Sequence, residues 1–180
     1  MSHIDIYCDG SIQGKPPKSE KIKKPMWIGY AFSVVDQIGR TVLGVGAQRI
    51  KQREESSLAE MLAFDKAVTY ALFVSSQVES IHIHTDCLNI INVLNVILQR
   101  KAYGARNPYA GYSDVEVWKR IVNKWQLMGC RIAVMYIKSH MSGTSLHIYH
   151  DEVDKVARRA ARQQKFVHIY KDITPTMLSC

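Results

Sequence analysis

The sequence predicts an α/β domain built on a mixed five-stranded sheet with helices on both faces. Apolar and polar residues alternate along five segments, three of which precede the first segment with helical periodicity. The later segments alternate between helix and strand, and a helix between two strands crosses over to a parallel neighbour. The length of 180 residues suits one compact domain.

The first three strands are predicted to form an antiparallel meander over residues 4–9, 27–35 and 41–49. In the first of them, the side chains of two opposite faces alternate with a period of two. The apolar face carries Ile4, Ile6 and Cys8, and the other face carries Asp5, Tyr7 and Asp9. A turn at residues 36–40 joins the second strand to the third.

Helical spacing of apolar residues predicts four helices, over 57–74, 88–99, 115–128 and 151–164. The first of these is expected to be amphipathic. Strands are predicted over 79–86, with isoleucines on one side and His82, His84 and Asp86 on the other, and over 131–138. Residues 138–150 are predicted to be a polar loop. The order is βββαβααβα, and we expect one domain over residues 1–165 followed by a C-terminal tail, 166–180.

The charge of the chain favours a polyanionic partner. Lysine and arginine number 24 against 16 acidic residues, which gives a net charge of +8. Nucleic acid is the commonest partner of a basic domain of this size. Residues 14–25 carry five lysines and one acid and are predicted to be an exposed basic loop beside the first strand.

The compartment is predicted from the cysteines and from the absence of targeting signals. The four cysteines form no CxxC pair, and no signal peptide or membrane-spanning run is evident. We therefore expect free thiols, a reducing cytoplasmic location and no membrane partner.

Three acidic residues fall at junctions between predicted elements. Asp9 and Asp86 end the first and fourth strands on their polar sides, and Glu60 lies near the start of the first helix. If those strands are neighbours, Asp9 and Asp86 lie close together on one face of the sheet, and a helix packed on that face can bring Glu60 beside them. Clustered carboxylates repel each other unless a proton or cation lies between them, and hard oxygen ligands favour Mg²⁺ or Mn²⁺.

Each of these acids also has an ordinary structural interpretation. Asp9 precedes a Gly-Ser turn signal, and Ser57-x-x-Glu60 has the spacing of a capping box. Asp86 could cap the helix that begins near residue 88. Their joint placement favours the metal-binding interpretation over three separate structural roles.

The segments YCDGS, SLAEMLAFDKAV, IHTDCLNI and VDKVARRAA, in this order, resemble the type 1 ribonuclease H family. The resemblance covers residues 4–161 and implies the ribonuclease H-like fold, which agrees with the predicted order of elements. It implies that Asp9, Glu60, Asp86 and Asp154 are the catalytic carboxylates and metal ligands. His140 matches the family's loop histidine, and Trp118 matches the tryptophan of its third helix.

The fourth carboxylate has two candidates. Asp151 stands where the cap of the last predicted helix belongs, and Asp154 lies on the next turn. The family motif favours Asp154.

The chain departs from the family at several positions. Ser56 and Ser57 replace an asparagine pair that contacts substrate, and Cys87 replaces the usual serine after Asp86. The lysine-rich loop and the loop after His140 are longer. We predict that the substrate contacts are made by Ser11, Ser56, Ser57, Asn89 and Lys138.

The resemblance implies a metal-dependent endonuclease that cleaves the RNA strand of RNA–DNA hybrids and leaves 5′-phosphate and 3′-hydroxyl ends. Two Mg²⁺ ions suit phosphodiester hydrolysis, with Mn²⁺ as a substitute and Asp9 between them. His140 would assist proton transfer or product release. A DNA nuclease or resolvase-like enzyme of the same fold, and a catalytically silent nucleic-acid-binding module, are the alternatives. We expect a monomer with no obligate protein partner.

Overall fold

The fold is seen in a computed structural model that describes residues 2–13, 26–39, 41–50, 56–138, 145–163 and 169–173. In chain order the elements are β1 (His3–Ile12), β2 (Met26–Asp36), β3 (Thr41–Ile50), α1 (Ser56–Val74), β4 (Ser80–Thr85), α2 (Leu88–Ala102), α3 (Val115–Gln126), β5 (Arg131–Tyr136), α4 (Ser145–Gln163) and β6 (Ile169–Ile173). The predicted order βββαβααβα is confirmed, and a further strand follows it.

The strands form one mixed sheet in the order β5-β4-β1-β2-β3-β6. The meander is antiparallel, whereas β1 pairs with β4 and β4 with β5 in parallel. The ribonuclease H-like fold predicted from the sequence is therefore confirmed. The parallel pair of β1 and β4 matters most for function, because it places the polar faces of two alternating strands side by side.

Helices cover both faces of the sheet. The face that carries Ile6, Ile81 and Ile83 shares one core with α1, α2 and α3, including the buried Trp118 of α3. Helix α1 packs against both the sheet and α3. For this reason α1 is buried around most of its circumference, from Leu58 to Ala71, and does not have the amphipathic surface that its sequence suggested.

Helix α4 covers the opposite face. Val153 and Ala157 pack there against Tyr7, Ala31 and other buried residues of the sheet. The approach is close, because a Cβ atom added to Gly29 of β2 would overlap the carbonyl of Ala157. Small residues thus set the distance between α4 and the sheet.

Two predictions about the C-terminal part need correction. Helix α4 begins at Ser145, six residues before the predicted start, so residues 145–150 are helical and not loop. Tertiary packing explains the difference: Tyr149 lies against Tyr7 with ring centroids 5.4 Å apart, and His150 is buried. Residues 169–173 of the predicted tail form β6, which pairs antiparallel with β3 and makes the sheet six-stranded.

Several predicted features lie outside the described residues. They include the lysine-rich loop 14–25 and the whole segment 139–144 between Lys138 and α4, with His140. Within the described ranges, no helix has the length and apolar character needed to cross a membrane.

Candidate active site

Three carboxylates from three elements meet at one end of the parallel strand pair. Asp9 lies on β1, Glu60 on α1 and Asp86 directly after β4. One oxygen of each comes within 4.8 Å of the other two. The sequence predicted this convergence, and the side-by-side pairing of β1 and β4 brings Asp9 and Asp86 together. The predicted position of the helix is wrong, because α1 packs on the other face of the sheet, with Ile6 and Ile81, and its first turn reaches the carboxylates at the strand ends.

Gly10 allows α1 to approach β1. A Cβ atom at this position would overlap the backbone of Ala59 and lie 2.5 Å from the backbone nitrogen of Glu60. The Gly10 amide instead donates to Asp9 Oδ1 at 2.7 Å and to Glu60 Oε2 at 3.1 Å. The glycine of the DGS motif therefore holds the two carboxylates together.

The structure also tests the capping roles that the sequence suggested for Glu60 and Asp86. Ser57 lies within α1 rather than before it, and Glu60 accepts a hydrogen bond from β1, so the capping-box interpretation of Glu60 is wrong. The residue that caps α2 is Cys87, not Asp86. The Cys87 amide donates to Thr85 Oγ1 at 3.1 Å, which leaves the Asp86 carboxylate available to the cluster.

The carboxylate cluster is electrostatically strained without a cation. Asp9 is only 5% exposed. Burial, together with the charges of Glu60 and Asp86, raises the pKa of Asp9 far above its ordinary value. Burial and the charge of Asp86 also raise the pKa of Glu60. A divalent cation would remove this penalty, and an all-carboxylate donor set fits Mg²⁺ or Mn²⁺ better than zinc.

Asp154 lies near the cluster but outside the group that meets within 4.8 Å. Its charge contributes to the raised pKa of both Asp9 and Glu60. Its Oδ1 is 2.6 Å from Arg158 Nε. Asp151 lies well inside α4, so the predicted capping role of Asp151 is wrong, whereas Asp154 stays the better candidate for the fourth carboxylate.

His150 is a neighbour of the cluster that the sequence interpretation did not single out. The side chain is buried, and its Nε2 atom lies 3.9 Å from Asp86 Oδ1. His150 and Asp154 are four residues apart, a spacing that places them on one face of a helix. The predicted helix began at Asp151, so this spacing was not recognised.

Most of the predicted substrate-binding residues are close to the carboxylates in the sequence. Ser11 follows Asp9 on β1, Ser57 is three residues before Glu60, and Asn89 is three residues after Asp86 and exposed. Lys138 is exposed next to Ile137, whose amide donates to the carbonyl of Thr85 at 3.0 Å. Ser56 is the first residue of α1, and His140 lies outside the described residues.

The structure is similar to solved ribonuclease H domains. Prototype foamy virus protease–reverse transcriptase superposes with a TM-score of 0.67 and 16% identity over 88% of this chain and 20% of that chain. The isolated RNase H domain of the same virus gives 0.64 and 17%, with 89% and 94% covered. LC9-RNase H1, described as a type 1 RNase H with the type 2 active-site motif, gives 0.64 and 13%, with 95% and 77% covered.

This chain thus spans about a fifth of the length of the viral protease–reverse transcriptase. No curated protein matches the sequence at a significant level. The model of the RNase H family, however, matches residues 1–162. That match covers strands β1 to β5, helices α1 to α3, all but the last residue of α4 and the three converging carboxylates. The chain belongs to the RNase H family.

Proposed function

We propose that this chain is a metal-dependent endonuclease that hydrolyses the RNA strand of RNA–DNA hybrids and leaves 5′-phosphate and 3′-hydroxyl ends. The proposal rests on one observation above all. Within an RNase H fold, the buried Asp9 and the half-buried Glu60 and Asp86 bring carboxylate oxygens within 4.8 Å of one another. A purely structural role does not account for three mutually repelling groups brought so close together.

The proposed roles of the acids follow from their positions. Asp9 would contact both of two Mg²⁺ or Mn²⁺ ions, with Glu60 and Asp86 as further ligands and Asp154 completing the set from α4. When bound, the ions supply an activated water and stabilise the charge on the leaving oxygen. The chain itself contributes the carboxylate oxygens, and the Gly10 amide holds those of Asp9 and Glu60 in place.

Substrate binding is proposed for the residues around the carboxylates. Ser11, Ser57 and Asn89 offer neutral hydrogen-bonding groups, which suit the 2′-hydroxyls that distinguish RNA from DNA. Lys138 would contact phosphate. Helix α4 adds exposed basic residues, Lys155, Arg159 and Arg162 among them. With a net charge of +8, binding should weaken as salt increases.

One neighbour supports this choice of substrate. The foamy viral protease–reverse transcriptase has been solved in complex with an RNA/DNA hybrid, with a TM-score of 0.59 to this chain. The same viral protein has also been solved with double-stranded DNA. The proposal therefore needs a direct comparison of substrates.

The deciding experiment is a cleavage assay on four labelled substrates of one sequence: RNA–DNA hybrid, RNA duplex, DNA duplex and four-way DNA junction. Each is tested with Mg²⁺, with Mn²⁺ and with chelator, and the cleaved ends are identified by their response to phosphatase and ligase. We expect cleavage of the hybrid alone, in the RNA strand, and none in chelator.

The other outcomes have definite meanings. Cleavage of the junction or the DNA duplex in preference to the hybrid would indicate the DNA nuclease. Binding without cleavage in either metal would indicate a silent module. Hybrid cleavage that survives the chelator would contradict the metal-dependent mechanism.

A further inference from the structure

A second cluster of ionisable side chains lies at the opposite end of the same strand pair. His3 and Asp5 are on β1, and His82 and His84 are on β4. The parallel register places Asp5 opposite His82 and His3 opposite Ser80. Asp5 and Asp9 are four residues apart, so the histidine cluster is about 13 Å along β1 from the carboxylates.

The distances within the histidine cluster match those of a metal site. His3 Nε2 lies 3.3 Å from Asp5 Oδ1, and His82 Nδ1 lies 3.8 Å from the same oxygen. The three residues offer ligand atoms that all fall within 4.8 Å of one another. Tetrahedral zinc with bonds of about 2.0–2.1 Å separates its ligand atoms by about 3.4 Å. Small side-chain movements would therefore close this set around one ion.

Neighbouring side chains orient two of the three ligands, His3 and Asp5. His3 Nδ1 is 2.9 Å from Ser80 Oγ, so the Nε2 atom of this ring faces Asp5. His84 Nε2 is 2.7 Å from Asp5 Oδ1, and the His84 ring stacks on Tyr7 with centroids 4.6 Å apart. Hydrogen bonds of this kind fix the orientation of histidine and carboxylate ligands in protein metal sites.

The cluster is accessible and has the donor chemistry of a transition-metal site. The side chains of His3, Asp5 and His82 are 26%, 29% and 41% exposed. An ion bound to all three would keep an open position for water, as zinc sites with three protein ligands do. Two imidazoles and one carboxylate favour zinc and neighbouring metals over Mg²⁺, which prefers oxygen ligands.

We propose that His3, Asp5 and His82 bind a Zn²⁺ ion that links the start of β1 to the start of β4. This site is separate from the carboxylate cluster and does not depend on nuclease activity. His84 acts as a positioning residue, because it holds the Asp5 carboxylate.

The test is calorimetric titration of the full-length chain with Zn²⁺ in a large excess of Mg²⁺, which keeps the carboxylates occupied. We expect one Zn²⁺ per chain. His82→Gln and His3→Gln, each lacking one ligand, should bind Zn²⁺ at least about tenfold more weakly. Titration with Co²⁺ should give a visible absorption spectrum in the wild type that both variants lose.

A control variant distinguishes this site from non-specific binding of Zn²⁺ to histidine side chains. His168→Gln removes one of the seven imidazoles but none of the proposed ligands, and should leave Zn²⁺ binding unchanged. Zn²⁺ should raise the melting temperature of the wild type and of His168→Gln but not of His82→Gln. His82 is the most exposed of the three ligands, so this variant should fold. No stoichiometric Zn²⁺ binding, or equal affinity in the wild type and both ligand variants, would overturn the proposal.

Discussion

Two clusters of ionisable groups occupy opposite ends of the parallel pair of β1 and β4, and their composition differs. The carboxylate cluster, formed by Asp9, Glu60 and Asp86, contains only acids. The histidine cluster surrounds one acid, Asp5, with three imidazoles. Both follow from the alternation of polar side chains along the same two strands.

The pKa shifts of the acids differ between the two clusters. Burial and like charges raise the pKa of Asp9 and Glu60. Burial also acts to raise the pKa of Asp5, but the hydrogen bond and charge of His84, together with His3, outweigh it and lower that pKa. The carboxylate cluster therefore requires a cation from solution, whereas Asp5 is already stabilised by its neighbours. The two ends should respond in opposite ways to mutation and pH.

The largest expected difference is in catalysis. Under the proposed function, Asp9→Asn should lower hybrid cleavage by at least about 10²–10³-fold, because metal-ion catalysis contributes several kcal/mol. Asp5→Asn makes the same change of charge on the same strand and should leave cleavage unchanged. Single-turnover rates in Mg²⁺ measure both. Near-normal cleavage by Asp9→Asn would contradict the assigned site, and so would a fall in its stability without metal.

A substitution at Gly10 should disrupt the carboxylate cluster without altering any charge. Gly10→Ala places a methyl group against the backbone of Ala59 and Glu60, and overpacking of this kind costs about 1–3 kcal/mol of unfolding free energy. Cleavage should also fall, because Glu60 is displaced from Asp9. Urea unfolding and hybrid cleavage provide the two measurements. An unchanged stability would mean that α1 does not need the close approach to β1.

The pH dependence of stability should have opposite sign at the two ends in metal-free protein. The pKa of Glu60 rises from 4.5 to about 7, so its stabilising contribution is present below pH 4.5 and is lost as pH rises to about 7. The lowered pKa of Asp5 makes its contribution present above pH 3.8 and lost as pH falls. Glu60→Gln should therefore gain stability relative to wild type from pH 4.5 to 7.

Asp5→Asn provides the matched variant for this measurement. It should be less stable than wild type by about 1–3 kcal/mol at pH 4.5, as expected for a lost hydrogen bond to a charged group. Denaturant unfolding in chelator at several pH values gives both differences. Addition of Mg²⁺ should remove the advantage of Glu60→Gln. If the unfolding free energies of wild type and Glu60→Gln in chelator change in parallel with pH, the raised pKa assigned to Glu60 is contradicted.

The smallest expected effect separates two acids of α4. Asp154→Asn should lower cleavage by about 10–100-fold, the range for groups that support metal ligands, because its carboxylate lies beside the cluster. Asp151→Asn should change neither cleavage nor stability appreciably, since Asp151 caps no helix. The ratio of kcat values compares them directly. A larger loss from Asp151→Asn would move the fourth carboxylate to that residue.

Much of this arrangement could be predicted from the sequence, because alternation identifies strands and their faces. The convergence of Asp9, Glu60 and Asp86 followed once β1 and β4 were assumed to be neighbours. The histidine cluster had the same signal, since Asp5 and His82 lie on the polar faces of the same two strands. Only the pairing register of β1 and β4 in the structure shows that Asp5 and His82 are opposite each other.

Other features depended on contacts that a local pattern does not contain. The first turns of α4, residues 145–150, include several residues of modest helix propensity, and the packing of Tyr149 on Tyr7 stabilises them. The edge strand β6 depends on pairing with β3. The burial of Asp9 depends on α1, which only the missing side chain of Gly10 allows to come so close.

The pairing of β1 with β4 has a consequence for how the chain folds. It joins residues 77 positions apart, such as His3 and Ser80, and the chain between them forms β2, β3 and α1. Bringing such distant segments together costs chain entropy before any contact compensates for it, which slows folding. Neither cluster exists until this long loop has closed. The pairing of β1 with β4 must therefore form without assistance from an ion bound at either cluster, and metal ions stabilise the protein only once these strands are paired.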